Sequence, residues 1–85
     1  MSSPRIASQV RWFAAERSAI VLNLTTGRYY RLNATAAEIW DGLSKCEPLA
    51  VIQERISQDH KVSPESAKVD LSDFIENLQR VGLVE

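Results

Sequence analysis

Arg28-Tyr29-Tyr30-Arg31 sets two phenols between two guanidiniums, directly after Thr25-Thr26-Gly27 and ahead of Leu32. Along a strand the side chains alternate, so Tyr29 and Arg31 share one face while Tyr30 and Leu32 share the other. The chemistry open to such a strand is recognition. At a sheet edge, its unpaired N–H and C=O groups can accept an extended peptide as an added strand, and neighbouring pockets then read alternate side chains. Taken singly, each residue also has an ordinary use: tyrosine is common on exposed strands, and arginines protect an edge from aggregation. Covalent chemistry has fewer candidates. Cys46 is the single cysteine and His60 the single histidine; no orienting partner for His60 is evident, and Cys46 reads as a small residue near a helix end. There is no metal-ligand spacing, no paired-carboxylate site that the sequence can place and no Ser/His/Asp set. Gly27, Gly42 and Gly82 are isolated rather than gathered in a phosphate loop. The expectation is a non-enzyme with no catalytic residue, no metal and no cofactor.

Positioning Arg28 to Leu32 requires a hairpin. Apolar and β-branched residues fill Ile20 to Leu24, and a three-residue loop of Thr25, Thr26 and Gly27, with glycine in its left-handed last position, predicts the connection. That register sets Leu24 opposite Arg28, Leu22 opposite Tyr30 and Ile20 opposite Leu32. It places Ile20, Leu22, Leu24, Tyr30 and Leu32 on the core face, and Val21, Asn23, Tyr29 and Arg31 outside. Gln9 to Ala15 alternates as an earlier strand, with Val10, Trp12 and Ala14 on one face. Glu16-Arg17-Ser18 turns it into the hairpin, so the last strand of the meander is an edge.

Three helices follow. Thr35 to Glu38 fits a capping box, predicting a first helix over Ala36 to Lys45 with Ile39, Trp40 and Leu43 inward. Pro48 starts a second, to about Gln58, with Leu49, Ile52 and Ile56 at helical spacing. Ser63-Pro64-Glu65 caps a third that reaches about Val81 and stops at Gly82. Its apolar stripe centres on Leu71, Ile75 and Leu78. One shoulder carries Asp70, Asp73, Phe74, Asn77 and Val81, and the other carries Lys68, Ser72 and Gln79. Order and length predict an α+β fold, a small winged helix-turn-helix-like domain with a three-stranded antiparallel sheet followed by three helices, as one domain over residues 1–85 with 1–5 disordered.

A chain of 85 residues buries only about 60–65% of its unfolded surface, which leaves little room for a deep enzyme cleft. The formal net charge of −1 hides an asymmetry: the part up to Leu32 carries +4, and the part from Asn33 onward carries −5. A groove between these halves would orient a charged partner. The third helix, with Glu65, Asp70, Asp73 and Glu76 against Lys68 and Arg80, is net negative and would be repelled by a duplex, which weakens a DNA-binding reading. With a lone cysteine, no apolar run of ~18 residues and no export leader, a cytoplasmic protein with no membrane or nucleic-acid partner is expected.

The pattern L-x-L-x-T-G-R-Y-Y-x-L-N-x-T-A-x-x-I-W from Leu22 to Trp40, closed by V-D-L-x-x-F-I-x-x-L-x-x-x-G-L-V from Val69 to Val84, resembles the PqqD-like family. Its members, also called RiPP recognition elements, bind leader segments of ribosomally made peptides. The likeness runs from about Ala19 to the end, and the TGRYYRLN wording is most similar to the discrete leader-binding proteins of lasso-peptide clusters. The resemblance implies a leader that adds as a strand to the third strand and packs against the third helix. Carried onto this sequence, the strand side is Arg28, Tyr29, Tyr30, Arg31 and Leu32. The helix side is Asp70, Asp73, Phe74, Asn77 and Val81, chosen because they share a shoulder; periodicity leaves the opposite shoulder open. It further implies as partners a precursor's leader region, a separate cysteine-type leader peptidase and a cyclase, with a leader offering Tyr, Pro and Leu at short spacing. The alternatives are a PqqD-type chaperone for a radical SAM enzyme in quinone-cofactor maturation and a winged-helix DNA-binding regulator.

Overall fold

Strands occupy the first part of the chain and helices the second: β1 (Val10–Ala15), β2 (Ser18–Asn23), β3 (Tyr29–Leu32), α1 (Ala34–Ser44), α2 (Leu49–Asp59) and α3 (Pro64–Arg80). The computed structural model describes residues 4–85. The strands form one antiparallel sheet in the order β1-β2-β3. Helix α1 packs across β2 and β3, and α2 packs between α1 and α3, so the helices cover one face of the sheet. The predicted α+β architecture is therefore present. Of the start expected to be disordered, Met1 to Ser3 lie outside the described residues. Arg5 is held: its carbonyl accepts the Glu85 N–H (2.7 Å), and Ile6 bridges Val84.

The β2–β3 register differs by one residue from the one the sequence suggests. Val21 faces Tyr30, Ile20 faces Arg31 and Ala19 faces Leu32. Asn23 is the cause. Its side-chain oxygen accepts the Thr25 N–H (2.9 Å), its carbonyl accepts the Gly27 N–H (2.8 Å), and its own N–H donates to the Arg28 carbonyl (2.9 Å). An asparagine bonding its own loop in this way is a turn of its own. The loop becomes Leu24 to Gly27, closed by Asn23 and Arg28, rather than the three residues expected. A slip of one residue exchanges the faces of a strand. Tyr30 and Leu32 stay inward as read, but β2 is inverted: Val21 is 0% exposed and Asn23 is buried, whereas Ile20 is 44% exposed and Leu24 lies outside. Gly27 does hold the expected positive φ, +75°.

Helix caps correct one reading and support two others. The cap of α1 is Asn33, whose side chain accepts the Ala36 N–H (2.9 Å), so the helix starts at Ala34 and no Thr35–Glu38 capping box forms. Asparagine is among the strongest N-caps, and Glu38 is freed for another partner. Ser63 caps α3 as expected, accepting the Ser66 N–H, with Pro64 in the first turn. At the other end, the Leu83 N–H donates to the Leu78 carbonyl and the Gly82 N–H to the Gln79 carbonyl, while Leu83 is buried. This is a Schellman closure with its hydrophobic contact, and Gly82 sits at φ +79°. A Cβ at Gly82 would meet nothing within 4 Å, so Gly82→Ala should cost only the left-handed conformation, about 1 kcal/mol. Urea unfolding should show this as a lower midpoint at unchanged slope.

Candidate functional site

Among the described residues, β3 has β2 on one side and no strand on the other. In an antiparallel pair, hydrogen-bonded and non-hydrogen-bonded partners alternate. The Asn23–Arg28 pair is bonded, so with the observed register Val21–Tyr30 and Ala19–Leu32 are bonded, and Leu22–Tyr29 and Ile20–Arg31 are not. The backbone N–H and C=O groups of Tyr29 and Arg31 therefore point to the open side of the sheet. These four groups, spaced along four residues of strand, can pair with an extended peptide.

The side chains beside this edge fall into two levels. Tyr30 is half-buried against the hydrophobic core, and Leu32 lies within it. Tyr29, 67% exposed, and Arg31 stand on the uncovered face, and Arg28 is exposed in the loop, where its N–H donates to Thr26 Oγ (3.2 Å). On α3, Asp70, Asp73 and Asn77 are exposed, as is Val81 at its C-cap, and Phe74 is half-buried against the same core as Tyr30. Lys68, Ser72 and Gln79 line a cleft with Leu49 and Gln53 of α2, so that shoulder is the one flanked by α2. Among the described residues, no ion pair engages Arg28, Arg31, Asp70 or Asp73. The basic strand and the acidic helix shoulder thus keep their charges free for a partner.

The inverted β2 adds something that the sequence reading placed inside. Phe13, Ile20 and Arg31 form one cross-strand row, and Arg11, Leu22 and Tyr29 another, on the face that no helix covers. Phe13 is 72% exposed, so an apolar surface edged with arginines adjoins β3.

His60 and Cys46 are kept apart. Cys46 precedes α2 and His60 follows it, and a helix of 11 residues separates its ends by about 16 Å. Contrary to the sequence reading, His60 does have a partner: its Nε2 lies 3.0 Å from Glu38 Oε2, across 22 residues of chain. Burial, together with a hydrogen bond shared with Asp59, raises the Glu38 carboxyl above its ordinary range, with His60 pulling the other way. Elsewhere Arg55 grips Glu47 through two bonds of 2.7 and 2.6 Å, which holds that carboxyl below its usual range and fastens the α1–α2 turn. Among the described residues, no group of three or more His, Cys, Asp or Glu side chains is placed to hold a metal ion. No described helix is long and apolar enough to cross a membrane.

The model of the family described as coenzyme PQQ synthesis protein D (PqqD) matches residues 18–84. Among solved structures, TbiB1 in complex with the TbiA(beta) leader peptide is similar with a TM-score of 0.90 and 27% identity, over 95% of this chain and 94% of that one. Lasso peptide synthetase B1 complexed with the leader peptide shares the fold at a TM-score of 0.88 and 21% identity, over 96% of each chain. No curated protein matches.

Proposed function

The chain belongs to the PqqD family, and from that membership we propose that it is a non-catalytic adaptor for the leader segment of a ribosomally made precursor peptide. The leader adds as a strand to β3, and the adaptor presents it to a separate leader peptidase in lasso-peptide biosynthesis. The observation that carries this reading is the open edge of β3, where the backbone groups of Tyr29 and Arg31 have no partner strand among the described residues. The likeness to TbiB1, a structure with a leader peptide bound, supports the same class of ligand.

In this arrangement the leader's residues alternate between two surroundings. Those turned inward meet Tyr30 and Phe74, both half-buried on the core, where a leader tyrosine or leucine gains about 1.5–3 kcal/mol if fully buried. Those turned outward continue the rows that end in Tyr29 and Arg31. Arg31 on the outer face, with Asp70 and Asp73 on the helix side, gives the two faces of the leader opposite charges to meet, which fixes its orientation. Tyr30→Ala and Phe74→Ala should each weaken leader binding about tenfold, a loss of about 1.4 kcal/mol. Circular dichroism checks that the domain stays folded, and unchanged affinity in both variants would remove these side chains from the groove.

The direct test is fluorescence anisotropy of a labelled leader peptide from the neighbouring precursor gene, with a scrambled leader and a labelled DNA duplex as controls. Saturable binding to the leader alone supports the adaptor. Salt-sensitive binding to duplex without response to leader would overturn it in favour of a winged-helix regulator. The family's name favours one further reading, partnership with a radical enzyme in quinone-cofactor maturation; that reading requires binding to a quinone-cofactor precursor in place of the lasso leader.

A further inference from the structure

Three strands turn side chains to the face of the sheet that no helix covers, and none of them places a carboxylate there. The charges on that face are Arg11 of β1 and Arg31 of β3. Arg11 is already engaged: its Nη1 donates to the Ser8 and Val10 carbonyls, at 2.9 Å each. Arg31 is exposed, and among the described residues no ion pair holds it. Its row neighbours are Ile20 and Phe13, with which it lines a cleft of about 500 Å³. Neither side chain has an acceptor to offer the guanidinium.

A strand added to β3 stands in a fixed relation to this guanidinium. Arg31 turns its backbone N–H and C=O to the open edge, so in an antiparallel addition it exchanges both bonds with a single residue of the incoming peptide, directly opposite. The side chain of that residue lies on the same face as Arg31, with Cβ atoms about 4.5–5.5 Å apart, and extends the row of Phe13, Ile20 and Arg31 by one. Opposite charges at such a pair stabilise the sheet, and like charges weaken it. The flanking residues of the peptide turn inward. Two positions along, the next outward residue stands opposite Tyr29, in the row of Leu22 and the engaged Arg11. One outward position of the peptide therefore faces a charge that has no partner.

We propose, on the basis of the leader-binding reading, that the peptide selected by this domain carries a carboxylate, Asp or Glu, at the outward position opposite Arg31, which makes Arg31 a specificity-determining residue. The carboxylate accepts from the planar fork of the guanidinium, beside the apolar row of Ile20 and Phe13, in a charge-assisted bond that a lysine at Arg31 would not reproduce. A peptide of the same apolar pattern with a basic residue at this position is disfavoured.

The probe is the labelled leader of the neighbouring precursor gene, remade with Glu and then with Lys at each position in turn, and read by anisotropy against the wild-type domain and Arg31→Glu. At one position Glu should bind the wild type about tenfold tighter than Lys, and Arg31→Glu should reverse that order. The unaltered leader should already carry Asp or Glu there. Arg31→Gln should abolish the preference at that position alone, and it serves if the charge reversal misfolds. Arg11→Glu makes the same change of charge on the same face two strands away, and should move all positions together. If the leader binds but no position changes its Glu-to-Lys ratio with the Arg31 variants, or if Arg11→Glu produces the same reversal, the proposal is overturned and the adaptor reading stands. Failure of every peptide to bind the wild-type domain overturns both.

Discussion

Arg31→Pro should raise the leader's dissociation constant by about 30-fold or more while leaving the domain folded. The expectation follows from the alternation of bonds in the β2–β3 pair. Arg31 faces Ile20 in a non-hydrogen-bonded pair, so its N–H is directed at the open edge and contributes nothing to the sheet. Proline is tolerated on an edge strand where the missing N–H faces solvent, and Tyr30, already extended, suits the position before a proline. The incoming peptide loses a hydrogen bond and meets the pyrrolidine ring where its carbonyl should sit. A carbonyl left unsatisfied costs about 1–3 kcal/mol, and about 2 kcal/mol corresponds to a ~30-fold change. Arg31→Ala separates the guanidinium from the backbone: it keeps the N–H and should lose far less. Tyr30→Pro is the opposite control, because it removes a bond to Val21 and should disrupt the sheet itself. If the proline and alanine variants at Arg31 bind the leader alike in anisotropy, the peptide is not added to β3.

The strand, helix and loop order of this chain could be read because each element announces its own ends. Ser63-Pro64 and Gly82 bound α3 in the structure as they do in the sequence, and Pro48 precedes the second helix. Where two local signals competed, the sequence misled. Thr35 with Glu38 makes an attractive capping box, but Asn33 caps two residues earlier and Glu38 turns to His60. Thr25-Thr26-Gly27 makes an attractive three-residue loop, but Asn23 bonds into the loop and lengthens it. That single residue decides which face of β2 is buried, and so whether Ile20 and Leu22 belong to the core or to the outer surface.

For the proposed leader-binding edge, the sequence conveyed the identity of β3 and its position as the last strand. It did not convey which backbone groups are free, since that depends on register. The α3 shoulder was ambiguous for a related reason: periodicity yields two equivalent flanks, and the placement of α2 beside Lys68, Ser72 and Gln79 is a tertiary fact. The Glu38–His60 contact had no local signature at all: it joins α1 to the residue after α2 across 22 residues of chain, and neither the spacing of the two residues nor their types marks them as neighbours.

Gly42→Val should be the most destabilising exchange of a glycine in this protein, lowering stability by about 2–3 kcal/mol. Glycine inside a helix costs about 1 kcal/mol relative to alanine, yet Gly42 lies buried in α1. The reason is the approach of α2. A Cβ there would lie 2.7 Å from Ile52 Cγ1, 2.9 Å from Ile52 Cδ1 and 3.0 Å from Glu47 Oε1. Neither neighbour yields easily, since Ile52 is fully buried and Glu47 is clamped by Arg55. Gly42→Ala gains helix propensity and loses it again to this clash, so its net effect should be smaller than that of valine. In a domain of this size each kcal/mol moves the melting temperature by about 4–8 °C, so thermal unfolding of Gly42→Val should fall by roughly 10–20 °C. A double-mutant cycle identifies the cause: Ile52→Ala makes room, so its penalty and that of Gly42→Val should combine to less than their sum. Strict additivity would mean that the valine acts elsewhere, and that the close packing of α1 on α2 is not what requires a glycine at this position.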